Sequence, residues 1–187
     1  MRLLCLGDSN TYGYDPCSYL GGRYSGENRW VDLLAEKTGW EIINAGENGR
    51  EIPHRKSEIA YVQQLFLRFQ PLDLLLVMLG SNDLLKGVGV AGAVSRMEEF
   101  LVQPIFAGMQ IILIAPPPMK SGDWVTEKGL LTRSLQLASA YQNLADRLGI
   151  RFIDAGKWKI DLTFDGVHFT ETGHQTFAKQ LYLALIE

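Results

Sequence analysis

The sequence is short of several features that would indicate a particular class of protein. Two cysteines, Cys5 and Cys17, among 187 residues do not predict a disulfide framework, so we expect a reducing, cytoplasmic setting. The longest apolar runs, such as residues 74–79, are too short to cross a bilayer, and the apolar stretch near the N-terminus is too short for the core of a signal peptide. Three scattered histidines do not form a metal-binding pattern, so we expect neither a metal nor a cofactor.

An excess of charge of one sign is also missing. The formal net charge of −3 gives no electrostatic reason to expect nucleic acid or a membrane surface as a partner. Hydrophobic residues make up 47% and charged residues 21%, as in an ordinary globular protein, so we expect one domain over residues 1–187 with a two- or three-layer core. The sequence does not predict the oligomeric state.

Apolar periodicity predicts strands and helices that alternate along the chain. The runs typical of buried parallel strands are residues 3–6, 40–44, 72–79, 110–115 and 150–153. Helical spacing is found over residues 27–37, 59–69, 90–106 with a bend at Pro104, 131–148, and from Glu171 onward. This alternation indicates a three-layer α/β/α fold with a five-stranded parallel sheet, for which we favour the flavodoxin-like order 2-1-3-4-5.

Polar turns follow three strands that this order places side by side. Ser9 follows the first strand, Gly46 and Gly49 follow the second, and Asn82 follows the third. The carboxyl ends of parallel strands meet at one edge of a sheet, where ligands bind, and neighbouring strands lie about 5 Å apart. We therefore expect the three turns to converge there.

A base and a carboxylate that could serve Ser9 occur in the stretch Asp165-Gly166-Val167-His168. A serine needs a base to act as a nucleophile, and an aspartate three residues before a histidine can hold Nδ1 and leave Nε2 for the serine. Residues 154–165 can extend about 35 Å, which is enough for His168 to return over the sheet to Ser9. Acyl transfer also needs donors for an oxyanion, and turn N–H groups with a side-chain amide are suitable.

These blocks resemble those of the SGNH (GDSL-type) hydrolases. Gly7-Asp8-Ser9-Asn10 is similar to the first block, with Asn10 where leucine is common, and residues 44–49, 80–83 and 165–168 are similar to the other three, in the same order. Residues 7–16 and 114–118 look most like the arylesterase and acyltransferase branch.

The resemblance implies a role for each residue of the candidate site and a flavodoxin-like fold. Ser9 would be the nucleophile, His168 the general base and Asp165 the group that orients it. The oxyanion hole would consist of the Ser9 and Gly49 N–H groups and the Asn82 amide, with Gly46 as the competing glycine.

The activity implied is that of a serine esterase, which cleaves a small aryl or short-acyl ester through an acyl-serine intermediate. A carbohydrate O-deacetylase, a lysophospholipase and a thioesterase of the same family remain open, and hydrolysis is not distinguished from acyl transfer. A non-enzymatic alternative is a flavodoxin-like module that binds a phosphate-bearing ligand at residues 9–11, although it leaves Asp165 and His168 unexplained.

Other polar and aromatic residues near these blocks have structural interpretations. Asp8 is expected to hold its turn through backbone hydrogen bonds, and Asp83 to cap the segment that follows it. His174 is assigned a surface or packing role. Trp124 either lines a substrate pocket or covers the surface.

Overall fold

Five short apolar segments form one all-parallel sheet in the computed structural model, which describes residues 1–19 and 22–186. The strands are Arg2–Gly7 (β1), Glu41–Gly46 (β2), Leu74–Met78 (β3), Gln110–Ala115 (β4) and Arg151–Asp154 (β5). Their order is β2-β1-β3-β4-β5, and every pair is parallel. The predicted strand order is therefore confirmed.

Helices cover both faces of the sheet. They are Ser9–Tyr12 (α1), Trp30–Thr38 (α2), Lys56–Arg68 (α3), Ser81–Leu85 (α4), Val90–Leu101 (α5), Lys128–Leu148 (α6) and Glu171–Ile186 (α7). One core cluster joins the sheet to α2 and α7, and the other joins it to α3, α5 and α6. No helix in the described part of the chain is both long enough and apolar enough to span a membrane.

The central strand β1 contributes to both cores. Leu3 and Cys5 belong to the cluster with α2 and α7, whereas Leu4 and Leu6 belong to the opposite one. Alternate side chains of a strand point to opposite faces, so a strand covered on both sides is apolar throughout. Burial raises the pKa of the Cys5 thiol, which makes this cysteine unreactive.

The predicted helix over residues 90–106 is wrong at its C-terminal end. The helix ends at Leu101, and Pro104–Phe106 forms a separate 3₁₀ turn. Proline disfavours helical backbone at the residue before it, and Gln103 is accordingly extended, with φ −60° and ψ 136°. The predicted start of the second helix at residue 27 is also too early, because Arg29 is extended and α2 begins at Trp30.

His174 is a packing residue of α7 and is fully buried. Its Nδ1 accepts a hydrogen bond from the Trp30 N–H at 3.4 Å, and its ring meets Tyr24 and Phe169 edge-on. Nε2 has no hydrogen-bond partner among the described residues. Burial, together with the positive charges of Arg29 and His168, lowers the pKa of His174 to about 3.

The lowered pKa of His174 predicts that the protein loses stability in acid. The pKa of a histidine side chain is ordinarily 6.5, and that of His174 in the folded protein is about 3. Between these pH values the unfolded chain therefore binds more protons than the folded protein. The free energy of unfolding therefore falls as pH is lowered through that range. We expect His174→Phe, which keeps an aromatic ring and removes the titration, to lose less thermal stability than the wild type between pH 6.5 and about pH 4. Melting temperatures that fall equally with pH in the wild type and in His174→Phe would contradict this account.

Candidate active site

The carboxyl end of β1 leads directly into α1 and places Ser9 at the edge of the sheet. Asp8 is the N-cap of α1, and its side chain accepts the Asn10 N–H at 3.0 Å, as predicted. Ser9 is the first residue of the helix and is 6% exposed. Burial raises the pKa of Asp8 to about 6, against the opposing effects of the Asn10 N–H, His168 and Arg50.

Ser9, His168 and Asp165 form a continuous hydrogen-bonded row. Ser9 Oγ lies 2.9 Å from His168 Nε2, and His168 Nδ1 lies 2.6 Å from Asp165 Oδ2. Burial alone would raise the pKa of Asp165, but hydrogen bonds from the His168 ring and from the Val167 and His168 N–H groups outweigh it and hold the pKa well below its usual range. Asp165 therefore stays ionised at neutral pH and can keep a proton on Nδ1, which leaves Nε2 to accept the serine proton.

Asn10 ties the loop that carries His168 to the first helix. Its amide Nδ2 donates to the Val167 carbonyl at 3.1 Å, and its Oδ1 accepts the Phe169 N–H at 2.9 Å. These two contacts bracket His168 in the sequence and fix its backbone against α1. This role of Asn10 is not predicted from the sequence, although an amide at a position where leucine is common in the SGNH hydrolases is a signal for it.

A pocket with a volume of about 280 Å³ opens over this row. It is lined by Ser9, Tyr14, Asn48, Gly49, Asn82, Trp124 and His168. The rings of Tyr14 and Trp124 meet the His168 ring edge-on, with centroids 4.9 Å and 5.0 Å away. Trp124 thus lines the pocket. About half of its surface stays exposed, so it is also part of the protein surface.

Three groups that could donate to an oxyanion lie at this pocket. Ser9 is the first residue of α1, and the first N–H groups of a helix have no acceptor within the helix. Gly49 has φ +74°, a conformation that favours glycine, and its N–H has no acceptor among the described residues. Asn82 Nδ2 donates to the Arg50 carbonyl at 3.0 Å, and its second N–H is not used by any described residue.

The competing glycine, Gly46, is placed differently. A Cβ added to it would lie 2.1 Å from the Tyr12 backbone nitrogen, so glycine is needed there for the close approach of β2 to α1. Gly46 does not line the pocket. Of the two glycines, the structure brings Gly49 beside Ser9.

Asp83 does not cap the segment that follows it, contrary to the prediction. It lies inside α4, is fully buried, and accepts hydrogen bonds from the Ile52 N–H at 2.9 Å and from Arg96 Nη1 at 2.8 Å. Burial raises the pKa of this carboxyl group, while these two donors act in the opposite direction. Asp83 therefore anchors the segment after Gly49 to the end of β3.

The arrangement is suited to nucleophilic acyl transfer. It combines a serine, a base held in one tautomer by a carboxylate, and donors around a small pocket. Among residues 1–19 and 22–186, no three histidine, cysteine or acidic side chains lie close enough together to hold a metal ion.

Comparisons with known proteins bear on the fold and the family of the chain. Among the curated proteins, no sequence matches it. Several solved structures do match. A presumed arylesterase from Agrobacterium tumefaciens str. C58 is 28% identical, with a TM-score of 0.85 over 100% of this chain and 99% of that chain. A carbohydrate acetylesterase family member from Sinorhizobium meliloti is 27% identical, with a TM-score of 0.84 over 99% and 97%.

An aryl esterase from M. smegmatis, 24% identical, shares the fold with a TM-score of 0.82 over 99% of this chain and 98% of that chain. The model of the GDSL-like lipase/acylhydrolase family matches residues 5–176, which is nearly the whole chain and includes all four sequence blocks. The protein therefore belongs to the GDSL-like lipase/acylhydrolase family and is a carboxylic ester hydrolase of the SGNH fold.

Proposed function

We propose that this protein is a serine esterase that cleaves a short-acyl ester through an acyl-serine intermediate. The observation that carries the proposal is the hydrogen-bonded row from Ser9 through His168 to Asp165 at the head of a small pocket. A phosphate-binding module is disfavoured, because it leaves the His168–Asp165 pair without a role and places the buried carboxyl group of Asp8 beside the ligand.

The proposed reaction has two acyl-transfer steps. Ser9 Oγ attacks the ester carbonyl carbon while His168 Nε2 takes the hydroxyl proton, and the tetrahedral oxyanion accepts hydrogen bonds from the Ser9 and Gly49 N–H groups and the Asn82 amide. The C–O bond to the alcohol then breaks, and His168 delivers its proton to the leaving oxygen. Water, deprotonated by His168, attacks the acyl-serine, and collapse of the second tetrahedral intermediate releases the acid and returns the proton to Ser9.

The size of the pocket favours a short acyl group. Its volume of about 280 Å³ is at the lower limit of ordinary ligand pockets, roughly 300–1,000 Å³. The rings of Tyr14 and Trp124 stand against the His168 imidazole and form part of the pocket wall. A fatty acyl substrate is therefore disfavoured.

A second cleft of about 360 Å³ adjoins the pocket and shares Asn48 and Gly49 with it. Its charged side chains are three acidic and three basic, and they occur as the pairs Glu47–Arg50, Glu51–Lys86 and Glu58–Arg55. Because these charges balance, the cleft favours a neutral polar alcohol over a phosphate-bearing headgroup or a charged thioester. Tyr61, which is 53% exposed, offers an aromatic face on which the C–H face of a sugar ring could pack.

The neutral cleft supports a second candidate function, that of a carbohydrate O-deacetylase. The acetyl group would enter the pocket at Ser9, and the sugar would lie in the cleft beside Tyr61. The solved carbohydrate acetylesterase family member, at 27% identity, is consistent with this candidate.

Labelling with an organophosphonate tests the role of Ser9. We expect one equivalent bound at the peptide that carries Ser9, and a kcat about 10⁴- to 10⁶-fold lower in Ser9→Ala. Ser81 is a matched control, because it also begins a helix after a strand and has the same 6% exposure. Ser81→Ala should keep both labelling and activity, whereas labelling that persists in Ser9→Ala would refute the proposal.

Substitution of Asn82 separates catalysis from structure. If its amide donates to the oxyanion, Asn82→Ala should lower kcat by about 10²- to 10³-fold, roughly 3–4 kcal/mol, with little change in KM because the bond strengthens in the transition state. Asn82→Asp should fold and be nearly inactive, since a carboxylate repels an oxyanion. If Asn82 has only a structural role at the Arg50 carbonyl, the same substitutions would cost about 1 kcal/mol of stability and leave kcat per folded molecule unchanged. That second pattern would remove Asn82 from the active site.

A panel of esters tests the two pockets together. Among p-nitrophenyl esters we expect kcat/KM to fall steadily from acetyl to octanoyl, and acetylated sugars to be cleaved. Tyr61→Ala should raise KM for the acetylated sugar and leave p-nitrophenyl acetate unaffected. Leu67→Ala, another exposed apolar side chain of α3 that lies outside the cleft, is the control. A preference for octanoyl esters would contradict the short-acyl pocket at Ser9, and equal effects of Tyr61→Ala on both substrates would exclude the assignment of the cleft to the sugar.

A further inference from the structure

The side chain of Arg50 is turned inward beneath the turn that contains Gly49. Only 8% of it is exposed. Nη1 donates to the Gly7 carbonyl at 3.0 Å and also to the Ala45 carbonyl. These carbonyls lie at the carboxyl ends of β1 and β2, so one guanidinium group joins two neighbouring strand ends, and the first of these lies two residues before Ser9.

The main chain of Arg50 is held from the third strand. Its carbonyl accepts the Asn82 side-chain N–H at 3.0 Å, and two residues later the Ile52 N–H donates to the buried Asp83 at 2.9 Å. Asn82 and Asp83 are consecutive residues of α4, which begins directly after β3 and Gly80. Arg50 therefore connects, through its side chain and its carbonyl, the ends of β1, β2 and β3.

The contacts of the Arg50 side chain are specific to arginine. A guanidinium group is planar and carries five donors in a fixed fork, so it can serve two carbonyl oxygens with Nη1 and the carboxylate of Glu47 with Nη2. An ammonium group has no second arm to span the same acceptors. The pair with Glu47 offsets the cost of holding the guanidinium among buried carbonyls.

We propose that Arg50 is a positioning residue that holds the proposed oxyanion donors in register with Ser9. The three donors come from three different turns. The Arg50 side chain is bonded to Gly7 before Ser9 and to Ala45 and Glu47 ahead of Gly49, and its main-chain carbonyl is bonded to the side chain of Asn82. Substitution of the side chain therefore acts directly on the first two turns. Catalytic donors must be placed to within about 0.5 Å, and a displacement of 1 Å can cost about 10²-fold in rate. This inference rests on the roles proposed above for Ser9, Gly49 and Asn82.

Arg2 provides a matched control at the opposite end of the same strands. It bonds Glu41 at 2.9 Å and the Gln70 carbonyl at 3.2 Å, and it thereby ties β1 to β2 and to the segment before β3, far from Ser9. Replacing Arg2 removes two strand-bridging contacts of a side chain that is 30% exposed, without touching the catalytic edge.

The experiment compares Arg50→Ala, Arg50→Lys and Arg2→Ala by steady-state hydrolysis of p-nitrophenyl acetate, together with thermal melting. We expect Arg50→Ala to lower kcat by about 10²-fold with KM changed less than about twofold. Arg50→Lys should recover only part of this loss. Arg2→Ala should lose stability and keep its kcat. Added guanidinium chloride at millimolar concentration should restore part of the kcat of Arg50→Ala and have no such effect on Arg2→Ala.

The possible outcomes separate this inference from the proposed function. If Ser9→Ala remains active in the same assay, the proposed function fails. If Ser9→Ala is inactive but Arg50→Ala keeps its kcat per folded molecule, only the role of Arg50 is refuted. If Arg50→Ala does not fold, Arg50→Lys decides, and a wild-type kcat in that variant refutes the inference. Equal losses of kcat in Arg50→Ala and Arg2→Ala would also refute it, because they would mark a general effect of stability.

Discussion

The pairing of β1 with β2 on one side and β3 on the other determines where the chemical groups of the site lie. Gly7 is level with Gly46 of β2 and with Met78 of β3, so the three strands end at the same height. The turns that follow them therefore share one edge of the sheet, and each supplies one residue that lines the pocket, namely Ser9, Gly49 and Asn82. A slip of one residue in either pairing would separate these residues by a full strand step, about 3.3 Å.

Many of the buried side chains at that edge are polar. The buried polar side chains found there are Asp8, Ser9, Asn10, Thr11, Ser81, Asp83, Asp165 and His168. Six of these eight side chains have hydrogen-bond partners within the protein, and those of Thr11 and Ser81 have none among the described residues. Because an unpaired buried polar group costs about 1–3 kcal/mol, such a network tolerates few substitutions, and its members depend on one another.

The sequence predicts this fold well because its signals are local. Each buried strand is a short apolar run followed by a turn, and the spacing of Asp165 and His168 places both side chains in one turn of chain. The contacts of Asn10, Arg50 and Asp83 were not predicted. Each of these residues makes at least one contact with a segment more than ten residues away, and nothing in the local pattern reveals which carbonyl or N–H will be nearby once the chain folds. The end of α5 at Leu101 was missed for another reason: Pro104 was interpreted as a bend in a continuing helix, whereas the helix had already stopped.

The separation of Ser9 and His168 along the chain has a consequence for synthesis. The two side chains are 159 positions apart, which corresponds to roughly 8–30 s of translation. Until the loop around His168 emerges, a nascent chain carries Ser9 without its imidazole neighbour, and Asn10 without the backbone groups of Val167 and Phe169 that it binds. The hydrogen-bonded row of Ser9, His168 and Asp165 therefore forms only after the last segments of the chain have docked against the first strand.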